Sequence, residues 1–143
     1  MKQTLLTCAF LTCASIAAAE GIKVENAYVP IAPPSAMSHA AYMTLENTGE
    51  ITRSLIGVSG KGYGMTHLHE SKETDGVAVM SMLHQLDIAS GQSVALKPGS
   101  FHVMLMRPKG PIALGDGVAL TLSFANGEEI AVTATVKERD TGS

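Results

Sequence analysis

The sequence predicts a single all-β domain, built as an antiparallel sandwich or a Greek-key barrel. Apolar residues alternate with polar ones over runs of a few residues, as they do in half-buried strands. Turn-forming residues separate these runs, and no stretch repeats its apolar residues with the period of a helix. The length of 143 residues suits one domain, and a composition of 45% hydrophobic and 16% charged residues is that of a chain with a core.

Nine segments have the composition of strands. The first is rich in β-branched residues, which favour extended structure. In the second, Ala41, Met43 and Leu45 share one face, which predicts that these side chains lie in the core. In chain order the predicted strands are residues 22–29, 40–46, 51–59, 65–70, 77–84, 93–96, 101–107, 118–125 and 129–137.

Turn signals separate nearly all of these segments. Three prolines within residues 30–34 exclude regular structure and predict a loop, and the glycine-rich residues 60–64 predict a turn. The pair Asn126-Gly127 predicts a two-residue hairpin turn. The other turn signals are Thr74-Asp75-Gly76, Ser90-Gly91, Lys97-Pro98-Gly99 and Gly115-Asp116-Gly117. No repeat or internal linker divides the chain.

Residues 1–19 have the pattern of a cleaved signal peptide. Lys2 supplies the positive start, an apolar run follows, and three alanines precede Glu20 as small residues before a cleavage site. The run of about 15 residues falls short of the roughly 20 that span a bilayer. We therefore expect export to the periplasm, with cleavage near Ala19 and no membrane span afterwards.

The two cysteines, Cys8 and Cys13, both lie in this leader. Attachment as a lipoprotein through one of them is the alternative, although the threonine before each cysteine suits lipobox processing poorly. The mature domain, residues 20–143, is then free of thiols. This excludes cysteine nucleophiles, cysteine-based zinc sites and the cysteine-ligated blue-copper centre.

Charge and motifs exclude further classes. Ten Lys and Arg residues stand against 13 Asp and Glu residues, and the net charge of −3 weighs against a nucleic-acid binder. The chain has no nucleophile-elbow pattern, and residues 60–64 lack the Lys-Ser/Thr of a phosphate loop. We therefore expect no enzymatic activity.

Histidine and methionine are concentrated between Met65 and Met106, a segment with five of the eight methionines and four of the five histidines. Strand parity places His102 and Met104 on one face of their strand, opposite an apolar face. It likewise places His67 beside His69, and Met80 beside Met82 and His84. Three strands can therefore each offer His or Met from a single face. The alternative is packing, in which methionine fills a core poor in aromatic residues; Met43 and Met65 fit that interpretation.

These two residue types together favour copper. Thioether sulfur is a soft ligand that binds Cu(I), and imidazole suits copper in both oxidation states. Calcium and magnesium prefer oxygen ligands, and zinc prefers cysteine, histidine and carboxylate. Because no thiolate locks the ion in place, donor and acceptor proteins can exchange it by swapping ligands. That property is typical of a carrier rather than a catalyst.

The sequence resembles the PCuAC-type periplasmic copper chaperones, whose motif is a His, ten residues, a Met, twenty-one residues and then His-x-Met. His69, Met80, His102 and Met104 match every spacing. The likeness extends to AAYMTLENTG, LKPGSFHVMLM and GDGVALTLSF, and it covers residues 22–136.

The resemblance implies a cupredoxin-like β-barrel that binds one Cu(I) near its surface through these four residues. It also implies delivery of copper to the dinuclear centre of cytochrome c oxidase subunit II, or to a Sco-type partner. Some relatives add a tail rich in His and Met that binds further copper, whereas this chain ends KERDTGS. A part in copper capture or transfer stays open for four residues outside the motif, namely His67, Met82, His84 and Met106.

Two other functions remain open. The same site would serve a periplasmic protein for copper buffering or resistance, without a dedicated acceptor. A metal-free Ig-like interaction module would use His and Met for packing alone. A copper enzyme that uses an N-terminal histidine is disfavoured, since the predicted mature chain begins at Glu20.

Overall fold

The computed structural model describes residues 21–140, which form ten strands and no helix. The predicted leader and its two cysteines lie outside the described residues. The all-β prediction is confirmed. The strands are β1 (Ile22–Pro30), β2 (Ser38–Asn47), β3 (Arg53–Gly60), β4 (Tyr63–Thr74), β5 (Val77–Leu83), β6 (Leu86–Ile88), β7 (Ser93–Leu96), β8 (Phe101–Pro108), β9 (Gly117–Phe124) and β10 (Glu129–Lys137).

All ten strands belong to one sheet, in the order β5-β4-β8-β7-β2-β1-β10-β9-β3-β6, with β8 also pairing with β2. The sheet curls around a single core, because strands near both ends of this order contribute buried residues such as Leu68 in β4 and Ile88 in β6. No helix capable of crossing a membrane occurs in residues 21–140.

Two pairings depart from the antiparallel expectation. β1 and β10 run parallel over three residue pairs, and β7 and β8 meet in parallel at Leu96 and Phe101. Strands that are neighbours in a hairpin must be antiparallel, but β1 and β10 are the first and last strands. The whole domain connects them, so their relative direction is free of that constraint.

Several predicted boundaries were wrong. β6 was missed, because three residues are too few to show alternation; Leu86 and Ile88 are nevertheless buried. β4 begins at Tyr63, so the turn expected over residues 60–64 shrinks to Lys61 and Gly62. The connection at Asn126-Gly127 is longer than the two residues expected, since β9 ends at Phe124 and β10 begins at Glu129.

The core confirms the predicted inward faces. Ala41 and Leu45 of β2 are fully buried, and so are Val103 and Leu105 of β8. Met43 lies among them at 2% exposure, so the packing interpretation holds for this methionine. On β8 the opposite face is therefore left for His102 and Met104.

The β4–β5 hairpin sets the register of the site. Asp75 and Gly76 form a two-residue turn with positive φ angles of 51° and 76°. A turn with positive φ at both central residues matches the twist of the strands it joins. The pairing runs unbroken from Thr74 opposite Val77 to Leu68 opposite Leu83. This tight turn therefore decides which residue of β5 faces each histidine of β4.

Candidate metal centre

Strand β4 lies between β5 and β8, and the three strands carry His and Met on one outward face. His69 is paired with His102 of β8 on one side and with Met82 of β5 on the other. Directly paired residues of antiparallel strands project from the same face of the sheet. The next pair on this face, two residues along each strand, has His67 opposite Met104. The predicted alignment of His and Met on three strands is therefore present in the register.

The rings of His69 and His102 meet edge to face, with centroids 5.6 Å apart and an interplanar angle of 65°. His102 is buried, with 5% exposure, and its Nδ1 lies 3.3 Å from the carbonyl oxygen of Ser100. A carbonyl only accepts, so Nδ1 is the donor in this hydrogen bond. A hydrogen bond of this kind is what orients a metal-binding imidazole.

His69 differs from His102 in its hydrogen bonding. Its Nδ1 is buried and has no hydrogen-bond partner within residues 21–140. Burial lowers the pKa of His69, and the nearby His102 and His67 lower it further. The ring is therefore held in the neutral form that a metal requires. A buried nitrogen without a partner is costly unless a ligand completes it.

The two predicted methionines flank this histidine pair. Met104 lies one pair beyond His102 and is partly buried. Met80 is 52% exposed and lies opposite Ser71, which is two residues after His69 on the same face of β4. Diagonal neighbours in a sheet are about 7–8 Å apart, within reach of a flexible thioether side chain. The structure thus pairs His69 directly with His102, with both methionines at diagonal positions.

The register brings close to His69 two residues, Met82 and His67, for which the sequence left a part in copper capture or transfer open. Met82, not Met80, is the residue directly opposite His69. The His67 ring lies 6.1 Å from that of His69. The two-residue Asp75-Gly76 turn predicts the position of Met82, because counting outward from Thr74 and Val77 gives each opposite pair along the hairpin. No sequence pattern pointed to Tyr42, whose ring centroid is 6.4 Å from that of His102.

The packing interpretation of Met65 was wrong. Met65 is paired with Met106 on the same outward face as His67, and it is 38% exposed. The core face of β4 is the opposite one, where Leu68 is buried. Parity, rather than hydrophobicity, decides its environment.

The family to which the chain belongs follows from its sequence. Residues 22–136 match the model of the LpqE-like family, whose description is that of a lipoprotein. The chain belongs to the LpqE-like (PCuAC) family. A relative from Leifsonia xyli subsp. xyli, named as a lipoprotein, is 32% identical over 121 residues, which are 84% of this chain and 72% of the relative.

Solved structures agree with this membership. The solution structure named CuI-DR1885, from Deinococcus radiodurans, is 32% identical with a TM-score of 0.68, over 90% of this chain and 85% of that one. The copper-bound PCuAC domain from PmoF2 has a TM-score of 0.70 over 85% of this chain and 97% of its own. Its identity of 21% supports the shared fold alone. The PCuAC fold expected from the sequence is confirmed.

Proposed function

We propose that this protein is a Cu(I) carrier that binds one ion tightly through His69, His102, Met80 and Met104. The observation that carries the proposal is the neutral His69 ring, whose buried Nδ1 has no partner within residues 21–140 and which meets the His102 ring edge to face across β4 and β8. One lone pair on each ring is then free for a metal. The methionines at the diagonal positions complete a set of four.

The surroundings favour a soft, singly charged ion. All four ligands are neutral, and thioether sulfur prefers Cu(I). The nearest acidic residue in sequence, Glu70, follows His69 and therefore projects to the other side of β4, where Lys72 pairs with it at 3.0 Å. The Glu70 carboxylate is therefore not available at the site to attract a hard divalent ion.

The site suits transport more than catalysis. On this outward face His102 is buried, whereas Met80 lies on the edge strand β5 with 52% exposure. An acceptor protein reaches the exposed thioether first and replaces the ligands in turn, while the copper remains Cu(I). The name of the DR1885 structure gives a Cu(I) form for a relative with 32% identity, which supports the choice of oxidation state.

The cellular role follows from the leader and the family. The signal-peptide pattern of residues 1–19 and the lipoprotein name of the Leifsonia relative support an exported, periplasmic protein. We propose that it passes Cu(I) to cytochrome c oxidase assembly, either to the dinuclear centre of subunit II or to a Sco-type protein. Mixing the Cu(I)-loaded carrier with each apo acceptor, separating the two and measuring copper in each fraction tests this step.

Competition for Cu(I) with a chromophoric chelator tests the binding itself. Residues 20–143 are the material, since they contain all ten strands and the whole core without the two leader cysteines. We expect one tight equivalent, with affinity at least about 100-fold lower in the His102→Ala, Met104→Ala double variant, which loses two ligands. Met37→Leu, at an exposed methionine that is not one of the four proposed ligands, is the matched control. Weak binding that ignores the double substitution would overturn the proposal.

A further inference from the structure

Three more soft ligands lie beside the His69–His102 pair, in the open groove between β3 and the β4–β5 hairpin. His67 Nδ1 is 2.7 Å from Met82 Sδ. His84, directly after β5, lines the same groove. None of the three belongs to the spaced motif, and the tight site proposed above does not use them.

The groove has the shape and chemistry to admit a soft ion. Its volume is about 280 Å³, and Ile56 and Val58 form its apolar wall. Among the residues that line it in the described chain, none is acidic. Met82 is 49% exposed and His84 is also exposed, so an ion from solution reaches this position more readily than the buried His102.

We propose that His67, Met82 and His84 form a second, weaker Cu(I) site that loads the first. The proposal rests on the proposed function, because a loading position is useful only if copper continues to His69 and His102. Two imidazole nitrogens and one thioether sulfur are a neutral, soft set suited to Cu(I). His67 lies in β4 and His84 directly follows β5, and Met82 already contacts His67.

Met82 connects the two positions. It is paired directly with His69 across β4 and β5, while its sulfur contacts His67. An ion held in the groove keeps its bond to Met82 while its bond to His67 breaks and a bond to His69 forms. The step exchanges one ligand for another. The copper stays Cu(I) throughout, so no electron is transferred. Burial increases along this route, from exposed His84 through partly buried His67 to the buried Nδ1 of His69.

The test is an anaerobic Cu(I) titration of residues 20–143 labelled with ¹³C at the methionine methyl groups. The wild type should bind a second equivalent about tenfold or more weakly than the first, since this site is more open to water and has fewer ligands. The second equivalent should shift the Met82 methyl signal and the ring signals of His67 and His84. A titration that stops at one equivalent, or leaves these signals unmoved, overturns the proposal.

Variants separate this proposal from the tight site. In His67→Asn, His84→Asn the second equivalent should be lost, while the affinity for the first stays within about threefold because its four ligands are untouched. In the matched control Met37→Leu, both equivalents should persist. Persistence of the second equivalent in the double variant, or its loss in Met37→Leu, contradicts the assignment. Absence of the tight first equivalent in the wild type is a different result, which contradicts the proposed function.

Discussion

The two faces of β8 differ in chemistry although their residues alternate along one strand. Val103 and Leu105 point inward and are fully buried in the core. His102 and Met104 point outward, against the histidines of β4. The inward residues hold the sheet together through burial, whereas the outward ones present nitrogen and sulfur for a ligand. Substitutions on the two faces should therefore affect different properties, stability on one and copper binding on the other.

The largest effect is expected on the inward face. Leu105→Ala removes a fully buried side chain and leaves a cavity, which should lower the free energy of unfolding by about 2–5 kcal/mol. The molecules that remain folded should bind Cu(I) with unchanged affinity. Chemical denaturation and chelator competition on the same preparation measure both quantities. A large loss of affinity in the folded fraction would show that the two faces are not independent.

His69→Leu gives the reverse result on the outward face. It removes the buried Nδ1 that has no partner within residues 21–140, so the free energy of unfolding of the metal-free protein should stay the same or rise. The affinity for Cu(I) should fall about 100-fold, which is about 2.7 kcal/mol. A variant that loses stability and keeps its affinity would mean that His69 is a packing residue.

A smaller effect is expected at the hairpin turn that sets the register. Gly76 has a φ of 76°, and a Cβ added there would meet nothing within 4 Å. Gly76→Ala should therefore cost only the backbone term, about 1 kcal/mol in free energy of unfolding. Gly110→Ala is the matched control, because it too has open space but no positive φ, and it should be close to neutral. Equal losses in both variants would argue against a strained turn.

The smallest effect concerns pH. Burial lowers the pKa of His39, whose Nδ1 lies 2.8 Å from the Tyr63 hydroxyl. Below about pH 6.5 His39 is protonated more readily in the unfolded chain than in the folded protein. Its contribution to stability is therefore full above about pH 6.5 and falls as the pH drops below that value. Burial lowers the pKa of His69 in the same direction. His39→Gln should flatten the decline in the free energy of unfolding between pH 7 and 5; an unchanged slope would exclude His39 as a source.

Much of this organisation could be predicted from the sequence, because alternation decides which side chains are buried. It gave nine of the ten strands and the outward placement of His102 and Met104. Alternation alone does not fix which strands are neighbours, so the parallel β1–β10 pair was missed. It also does not show that Met82 is opposite His69, which depends on the length of the Asp75-Gly76 turn. The unpartnered nitrogen of His69 depends on tertiary burial and has no sequence signal.

The central claim is that the outward face of β4 and β8 binds Cu(I) through both nitrogen and sulfur. X-ray absorption at the copper K edge, on residues 20–143 with one equivalent of Cu(I), tests it most directly. We expect the copper to be coordinated by imidazole nitrogen together with thioether sulfur, and the spectrum to change in the His102→Ala, Met104→Ala variant. A shell of nitrogen and oxygen alone, or a spectrum that the substitutions leave unchanged, would contradict it.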